Sequence, residues 1–268
     1  MKEKKKSLVV RFMLFHKKLK KSVDHLIFPD DLKCIFCGND IPNFDDQPFC
    51  EECEKTLPFN VGNRCIICDQ PIKNEATVCD FCQREKKNFE RLFSPFLYGA
   101  EVKNAILSYK ESNRRYMAKA FAKIIVDYIH KEKPDLKLNF LSYIPLTSKK
   151  EKQRGFNQSK LLAEEIGKLL DVPVICLFEK IKDVGNQKEL KFKQRRENVL
   201  GAYRLKDVKL KKTDRIMIVD DVVTTCATVG YCSGLVYPKV EKVYVCSLAR
   251  ETVENAKNQK KSVEVTYL

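Results

Sequence analysis

Two adjacent acids, Asp220 and Asp221, come directly after four apolar residues, Ile216 to Val219. The apolar run predicts a buried strand, and open parallel sheets bind their ligands beyond the carboxyl ends of the strands. A helix is predicted to begin near Thr228, and backbone N–H groups and hydroxyls before a helix can hold a phosphate group. The small residues in this position are Thr224, Thr225, Cys226, Ala227 and Thr228.

Two carboxylates beside such a loop would repel a bare phosphate, and a sugar phosphate resolves this conflict. The loop would hold the 5′-phosphate, while the acids would accept hydrogen bonds from the two neighbouring ribose hydroxyls. A Mg²⁺ ion would further offset the negative charge. The alternative is an ordinary turn between a strand and a helix, with two exposed acids.

Eight of the twelve cysteines form four CxxC pairs, with intervals of 12, 11 and 10 residues between the pairs. Two such pairs can supply four thiolates to one tetrahedral ion, so eight predict two structural zinc sites. Sequential grouping needs only short loops and is preferred, while a cross-braced grouping stays open. Disulfides are the alternative, but they require an oxidising compartment. The ligands are Cys34, Cys37, Cys50, Cys53, Cys65, Cys68, Cys79 and Cys82.

The charge of the chain is unevenly distributed. The whole chain has a formal net charge of +15, but residues 34–82 carry nine acids and three basic residues. An acidic metal module favours a scaffold or docking role over a grip on DNA. The basic remainder suits nucleic acid, anionic lipid or phosphorylated metabolites, or is simply a solvated lysine-rich surface.

The elements that must position these groups alternate between helix and strand. Helical spacing is predicted at 102–130 and 154–170, and strands at 138–146, 172–178, 216–219 and 240–249. This order predicts an α/β fold with a mainly parallel sheet and helices on both faces.

Three segments are expected along the chain. Residues 1–33 form a basic, amphipathic lead-in, residues 34–88 a small double zinc-ribbon module, and residues 89–268 the α/β domain. The stretch LVVRFMLFHKKLKK in the lead-in suits a helix packed on its own domain, or peripheral contact with a membrane surface.

Four stretches of the sequence resemble known families. IMIVDDVVTTCATV resembles the phosphoribosyl-diphosphate (PRPP) motif of type I phosphoribosyltransferases. IPLTSKKEKQRGFNQSKLLA, KQRRENVLGAY and the CxxC pairs preceded by LIFP are similar to the ComF (ComFC) family of competence proteins. The resemblance covers roughly residues 25–250.

The resemblance implies a double zinc ribbon followed by a type I phosphoribosyltransferase-like domain. It also implies handling of single-stranded DNA during natural transformation, in the cytoplasm or at the inner face of the cell membrane, with proteins of the competence machinery as partners.

Residue roles follow from the same resemblance. Asp220 and Asp221 would hold the ribose hydroxyls of PRPP, and the loop at 224–228 would hold its 5′-phosphate. Cationic residues would face the diphosphate, since arginine donates two hydrogen bonds at once. Those implied are Lys149, Lys150 and Arg154, with Arg195, Arg196 and Asn198 in a second basic segment that forms a hood over the ligand or contacts DNA.

The chain departs from the family pattern at two places. The phosphate loop reads TTCAT where the family has TTGAT, and a side chain at Cys226 would cost about 1–2 kcal/mol in a left-handed conformation. A right-handed conformation would avoid this cost. The second departure is at Ser112 and Asn113, which replace a turn glycine but can still form a turn.

Two functions of different classes remain open. The first is a Mg²⁺-dependent phosphoribosyltransferase with an unknown acceptor, in which positioning and stabilisation of the leaving diphosphate provide catalysis. The second is a catalytically weak or inactive fold that binds single-stranded DNA through phosphate contacts. For the second, Phe156, Phe192 and Tyr203 are either base-stacking or core residues.

Overall fold

The structure is a computed structural model that describes residues 33–41, 48–72, 75–111, 114–182 and 199–252. By its internal contacts the chain forms two compact units, Met1–Thr56 and Leu57–Leu268. The predicted lead-in lies outside the described residues except for Lys33. No helix in the described ranges is long and apolar enough to cross a membrane.

The first unit contains a tight turn that holds Cys34 and Cys37, the first cysteine pair, together. The backbone N–H of Gly38 donates to the Cys34 carbonyl at 2.9 Å, and Gly38 has a φ of 81° that glycine adopts without strain. Helix α1, Glu51–Thr56, follows Cys50 and buries Cys53.

A parallel sheet forms the centre of the second unit. Its strands are β1 (Arg91–Phe93), β2 (Phe96–Leu97), β3 (Phe140–Tyr143), β6 (Arg215–Val223) and β7 (Lys242–Arg250). The order is β1-β7-β6-β3, with β2 pairing with the end of β7, and every pair is parallel. The fold-class prediction of a mainly parallel sheet is therefore confirmed.

Helices cover both faces of this sheet. The helices of the unit are α2 (Asp80–Arg84), α3 (Ala100–Tyr109), α4 (Met117–Glu132), α5 (Ser148–Arg154), α6 (Gln158–Leu170) and α7 (Ala227–Val236). Helices α4 and α6 pack together against one face. On the other face Ile216 and Ile218 share a buried cluster with Val229 and Cys232 of α7. Alternate residues of β6 therefore point to opposite helical layers.

Two predicted helices are each divided in the structure. The helix predicted at 102–130 is two helices, α3 and α4. The helix predicted at 154–170 begins only at Gln158, because Gly155 ends α5 with a φ of 81° and Asn157 caps α6 through its side chain. Leu169, near the end of α6, is exposed.

The strand predicted at 172–178 was wrong in extent. Only one parallel bridge, from Val174 to Leu141, joins this segment to the sheet. Strand β4, Phe178–Lys180, lies just beyond it and pairs antiparallel with β5, Tyr203–Leu205. Strands β1, β2 and β5 were not predicted, because two or three residues are too few to show a strand periodicity.

The second cysteine group lies in the same unit as the sheet and is fixed to it. The Leu92 N–H of β1 donates to the Ile67 carbonyl at 2.7 Å. The buried Asp69 carboxylate accepts hydrogen bonds from the Ser94 N–H and the Tyr128 hydroxyl, both at 2.8 Å. The unit boundary at 56/57 thus separates the two cysteine groups, and a joint module at 34–88 stays a prediction.

We expect Gly167→Ala in α6 to lower the free energy of unfolding by about 1–3 kcal/mol. A Cβ at this position would lie 2.8 Å from the Val172 carbonyl oxygen and 2.9 Å from the Val174 side chain. Backbone cannot easily move away, so the clash outweighs the better helix propensity of alanine. Chemical denaturation measures the change.

Gly230→Ala in α7 is the matched control, because nothing lies within 4 Å of a Cβ at that position. There the helix propensity of alanine should raise stability by about 0.5–1 kcal/mol. Equal effects at the two positions would contradict the packing described for α6.

Candidate functional site

The two acids lie in the last part of β6, where the neighbouring strand β3 has already ended. The final β3–β6 pair joins Tyr143 to Val219, whereas β6 continues beside β7 as far as Val223. The expectation that the acids follow the strand is corrected, because Asp220 and Asp221 are still part of it. They nevertheless lie beyond the carboxyl end of β3, which leaves space for a ligand.

The Asp220 carboxylate accepts one hydrogen bond from a side chain of α6 and one from the backbone of the next residue. Its Oδ1 accepts hydrogen bonds from the Ser159 hydroxyl at 3.0 Å and from the Asp221 N–H at 2.9 Å. Burial, followed by the negative charge of Asp221, raises the pKa of Asp220 to about 7. Asp220 therefore changes its charge near neutral pH.

Asp221 is held ionised by Lys110, which caps the end of α3. The Lys110 Nζ lies 2.7 Å from Asp221 Oδ2, and both side chains are about one-quarter exposed or less. Burial acts to raise the pKa of Asp221, but the Lys110 ammonium and the Val222 N–H lower it further than burial raises it. The two adjacent acids thus have opposite pKa shifts.

The cationic side of the site begins at Arg154, the last residue of α5. The guanidinium of Arg154 interacts electrostatically with both Asp221 and Lys110, and its Nη1 donates to Gln158 Oε1 at 2.6 Å. Gln158 is buried, and its Nε2 has no hydrogen-bond partner in the described part of the chain. A buried amide N–H₂ of this kind calls for an acceptor.

Arg115 fixes the backbone around Gly155. Its Nη2 donates to the Gly155 carbonyl at 2.7 Å, and its guanidinium lies 4.9 Å from the centre of the Phe156 ring. Of the other predicted cationic residues, Lys149 and Lys150 lie on α5 next to this loop. Arg195, Arg196 and Asn198 lie outside the described residues, as do Ser112 and Asn113.

The predicted phosphate loop joins β6 to α7, and Cys226 has a left-handed conformation. Its φ is 59° and its ψ is 11°, so the backbone takes the form that glycine favours. The Cys226 side chain is buried in the same cluster as Val229. The sulfur therefore packs into the core, while Thr225 Oγ1 accepts from the Ala227 N–H at 3.3 Å at the start of the helix.

Arg250, the last residue of β7, holds the first residues of this loop. Its Nη1 donates to the carbonyls of Val223, at 3.2 Å, and Thr224. The arginine is only 3% exposed. A buried guanidinium bonded to backbone carbonyls restrains where the loop leaves the strand.

The eight CxxC cysteines form two groups, 34/37/50/53 and 65/68/79/82, and the sulfurs of each group lie within 4.8 Å of one another. This is the sequential grouping that was preferred. Measured Sγ–Sγ distances are 3.7 Å for Cys34–Cys53 and 3.6 Å for both Cys37–Cys50 and Cys68–Cys79. Tetrahedral zinc with sulfurs at about 2.3 Å requires about 3.8 Å, so the geometry fits a zinc ion.

All twelve cysteines, which lie within the described ranges, are free of disulfides. Cys232 and Cys246 are fully buried core residues, whereas Cys176 is half-buried. Phe156 and Tyr203 are also buried, so the core interpretation of these rings is favoured over base stacking. Phe192 lies outside the described residues.

Sequence reasoning did not identify Lys110, Gln158, Ser159 and Arg250 as parts of the site. Gln158 and Ser159 belong to the RGFNQS stretch, where spacing from Arg154 could have placed them together at the start of a helix. Lys110 lies at the end of α3 and Arg250 at the end of β7. Both are far from β6 in the sequence, and only the tertiary structure brings them next to it.

Comparison with curated proteins gives relatives with competence-related names. The chain is 24% identical to competence protein F of Haemophilus influenzae, over 82% of the chain and 97% of that protein. It is 28% identical to competence protein ComFC of Bacillus subtilis, over 75% and 83%. It is 25% identical to the DNA utilization protein YhgH of Salmonella typhimurium, over 69% and 82%. The resemblance to the ComF/ComFC family is confirmed by these relatives.

No family model matches the chain. Similar solved structures include an adenine phosphoribosyltransferase with a TM-score of 0.35 and 11% identity, over 59% of the chain and 79% of that structure. A second, from Saccharomyces cerevisiae, has a TM-score of 0.34 and 12% identity, over 57% and 76%.

We expect Cys226→Gly to be more stable than Cys226→Ala by about 1 kcal/mol, because only glycine removes the Cβ from a left-handed backbone. Both variants lose the buried sulfur, so their difference isolates the backbone strain. Chemical unfolding of the two variants under identical conditions measures it. Equal stabilities would mean that position 226 is not left-handed in solution.

Proposed function

We propose that this chain, which resembles the ComF/ComFC family of competence proteins, binds PRPP with Mg²⁺ at the carboxyl end of β3 and acts in the handling of single-stranded DNA. The observation that carries the proposal is the placement of Asp220 and Asp221 beside both a cationic group and a loop that leads into a helix. This combination suits a ligand that carries hydroxyls and phosphates together.

The two acids are suited to vicinal ribose hydroxyls. Each hydroxyl can donate to a carboxylate oxygen, and Ser159 and Lys110 already hold the carboxylates in fixed orientations. Because Asp221 is ionised and Asp220 titrates near neutral pH, hydroxyl donation would stabilise the charged form of Asp220.

The ends of PRPP would contact opposite sides of the acids. The 5′-phosphate would meet the N–H groups at the start of α7, together with Thr224, Thr225 and Thr228. The diphosphate would meet Lys110 and Arg154, with the Gln158 amide as an additional donor. Mg²⁺, when bound, would offset the charge of the diphosphate and the acids.

Catalysis, on this proposal, would come from holding the diphosphate as it leaves C1 of the sugar. Lys110 and Arg154 are the described residues whose charges are placed for it. The acceptor would be a nucleophile that attacks C1 and is not one of these residues. A transferase reaction and simple PRPP binding would therefore use the same site.

The two four-cysteine groups are proposed as structural zinc sites. Thiolate ligands at this separation match zinc, and the bound metal would supply folding energy that short segments of few apolar residues lack. The roles of residues 34–88 as one zinc-ribbon module, and of Arg195, Arg196 and Asn198 as a hood, are further parts of the proposal.

Single-stranded DNA is the proposed macromolecular partner. Relatives named for competence and DNA utilization support this, and so does the formal net charge of +15, which would favour a polyanion. The cytoplasm, at or near the inner face of the cell membrane, is the proposed place of action, with competence proteins as partners.

We expect the affinity for PRPP with Mg²⁺ to fall about tenfold between pH 8 and pH 6, because Asp220, with a pKa of about 7, loses its charge. Isothermal titration calorimetry measures this. The same raised pKa means that the contribution of Asp220 to the stability of the free protein is fully present below the ordinary aspartate pKa and is lost as the pH rises through 7.

Asp220→Asn is the control, because asparagine has nearly the same shape as aspartate but does not titrate. Any change of affinity with pH that remains in this variant comes from ionisation of the ligand. Its affinity should be weaker and should lack the tenfold change. Asp220→Ala combined with Asp221→Ala should abolish binding. Absence of PRPP binding by the unaltered protein at pH 8 would refute the proposal.

We expect single-stranded DNA binding to weaken by at least tenfold between 50 and 200 mM salt, since phosphate contacts release counterions. Fluorescence anisotropy with a labelled oligonucleotide measures this. An affinity that does not change with salt would argue against binding through the basic surface, whether or not PRPP binds.

A further inference from the structure

The start of helix α6 lies at the ends of the two strands that border the site. The side-chain amide of Asn157, the residue that caps α6, donates to the carbonyl of Ile144, which follows β3, at 3.2 Å. The Ser159 hydroxyl donates to Asp220 Oδ1 on β6 at 3.0 Å. These two hydrogen bonds fix the first turn of α6 beside the acids.

The first turn of α6 offers backbone donors to this part of the site. The first four N–H groups of a helix have no carbonyl partner within the helix. Asn157 satisfies two of them, because its side chain accepts from the Lys160 N–H and its carbonyl accepts from the Leu161 N–H, both at 3.0 Å. The N–H groups of Gln158 and Ser159 lie before these, at the positive end of a helix of 13 residues.

Gln158, the first residue of α6, is held at its backbone and at its side chain. It is only 2% exposed, and its carbonyl accepts from the buried Tyr109 hydroxyl at 2.9 Å. Its side-chain Oε1 accepts from Arg154 Nη1 at 2.6 Å. A guanidinium can only donate hydrogen bonds, so the oxygen of the amide must face Arg154. The orientation of the amide is therefore fixed, and its N–H₂ is the group left to bind something else.

The Gln158 Nε2 is a buried donor with no acceptor among the residues that the structure describes. Such a donor lowers the stability of a folded protein, and an apolar side chain of similar length would fill the same space without that loss. Packing alone therefore does not account for a glutamine at this position. A ligand that brings an acceptor to the first turn of α6 would account for it.

We infer that the first turn of α6 is an anion subsite and that Gln158 is its specificity-determining residue, whose Nε2 donates to the phosphoryl group that PRPP carries on C1. Arg154 contributes a positive charge, and the N–H groups of Gln158 and Ser159 contribute further donors. The identity of the ligand rests on the proposed function, whereas an anion subsite can exist without it. Ribose 5-phosphate has no group on C1 to place there, so Gln158 favours PRPP over ribose 5-phosphate.

The test is isothermal titration calorimetry of the full chain with three separate probes, PRPP, inorganic diphosphate and ribose 5-phosphate, each with Mg²⁺ at pH 8. Gln158→Met removes the donor, keeps a side chain of similar length and leaves the net charge unchanged. We expect the affinities for PRPP and diphosphate to fall about tenfold or more, because a hydrogen bond to a charged group is lost. The affinity for ribose 5-phosphate should not change. An equal loss for ribose 5-phosphate would overturn the inference.

Gln158→Glu tests the direction of the hydrogen bond. Glutamate keeps an acceptor for Arg154 but replaces the donor with a negatively charged oxygen, so PRPP and diphosphate should bind more weakly still than in Gln158→Met. Gln153→Glu is the matched control, because it makes the same change of charge at an exposed residue of α5. It should leave all three affinities close to those of the unaltered protein. Equal losses in the two glutamate variants would mean that added charge alone weakens binding, and this would contradict the inference.

Chemical denaturation without ligand distinguishes a binding role of Gln158 from a packing role. Gln158→Met removes a buried donor that has no acceptor in the described chain, and Arg154, which is half-buried, can bind water in place of the lost oxygen. The denaturation midpoint should therefore stay the same or rise, while PRPP affinity falls. A lower midpoint together with equal losses for all three probes would assign Gln158 a packing role and overturn the inference.

The three probes also separate this inference from the proposed function. If the unaltered protein binds diphosphate but not PRPP, and Gln158→Met loses diphosphate, the subsite is supported and the proposed ligand is refuted. If PRPP binds equally to the unaltered protein and to Gln158→Met, the inference is refuted and the proposed ligand stands. If the unaltered protein binds none of the three probes, both are refuted.

Discussion

The site depends on placing the carboxyl groups of Asp220 and Asp221 together near the carboxyl end of β6. Burial and the negative charge of Asp221 both disfavour the charged form of Asp220. The structure meets this cost unequally: Lys110 holds Asp221 ionised, while the Asp220 pKa rises to about 7. A short strand β3 leaves these acids uncovered on one side. The resulting arrangement is a pair of acceptors for hydroxyl donors, bordered by cations, and the proposed ligand follows from that chemistry.

The two groups of four cysteines that could hold a metal ion lie in different compact units of the chain. The first group lies in a compact unit that does not contain the sheet, so a metal there would stabilise that unit. The second group is built into the core of the α/β unit, and hydrogen bonds of the Ile67 carbonyl and the Asp69 carboxylate join it to the region of β1.

Long buried strands and repeated spacings were predictable from the sequence. The runs in β6 and β7 are apolar enough to identify a parallel sheet, and four CxxC pairs predicted two four-cysteine groups. Predictions were less accurate where short-range geometry decides. Gly155 and the Asn157 cap divide one predicted helix, and the segment at 172–178 makes one bridge where a strand was expected. Strands of two or three residues have too little periodicity to detect.

The sequence itself determined which kinds of ligand each stretch could bind. Adjacent acids, a loop of small residues and paired cysteines have this chemistry whatever their distant neighbours are. Tertiary structure alone decided which charges surround them, because Lys110, Ser159 and Arg250 come from three elements separated by up to 140 residues along the chain. It also decided that Cys226 is left-handed with its sulfur in the core. A residue type defines what a side chain can bind, whereas its pKa, burial and backbone conformation depend on contacts made only when the sheet and helices have assembled.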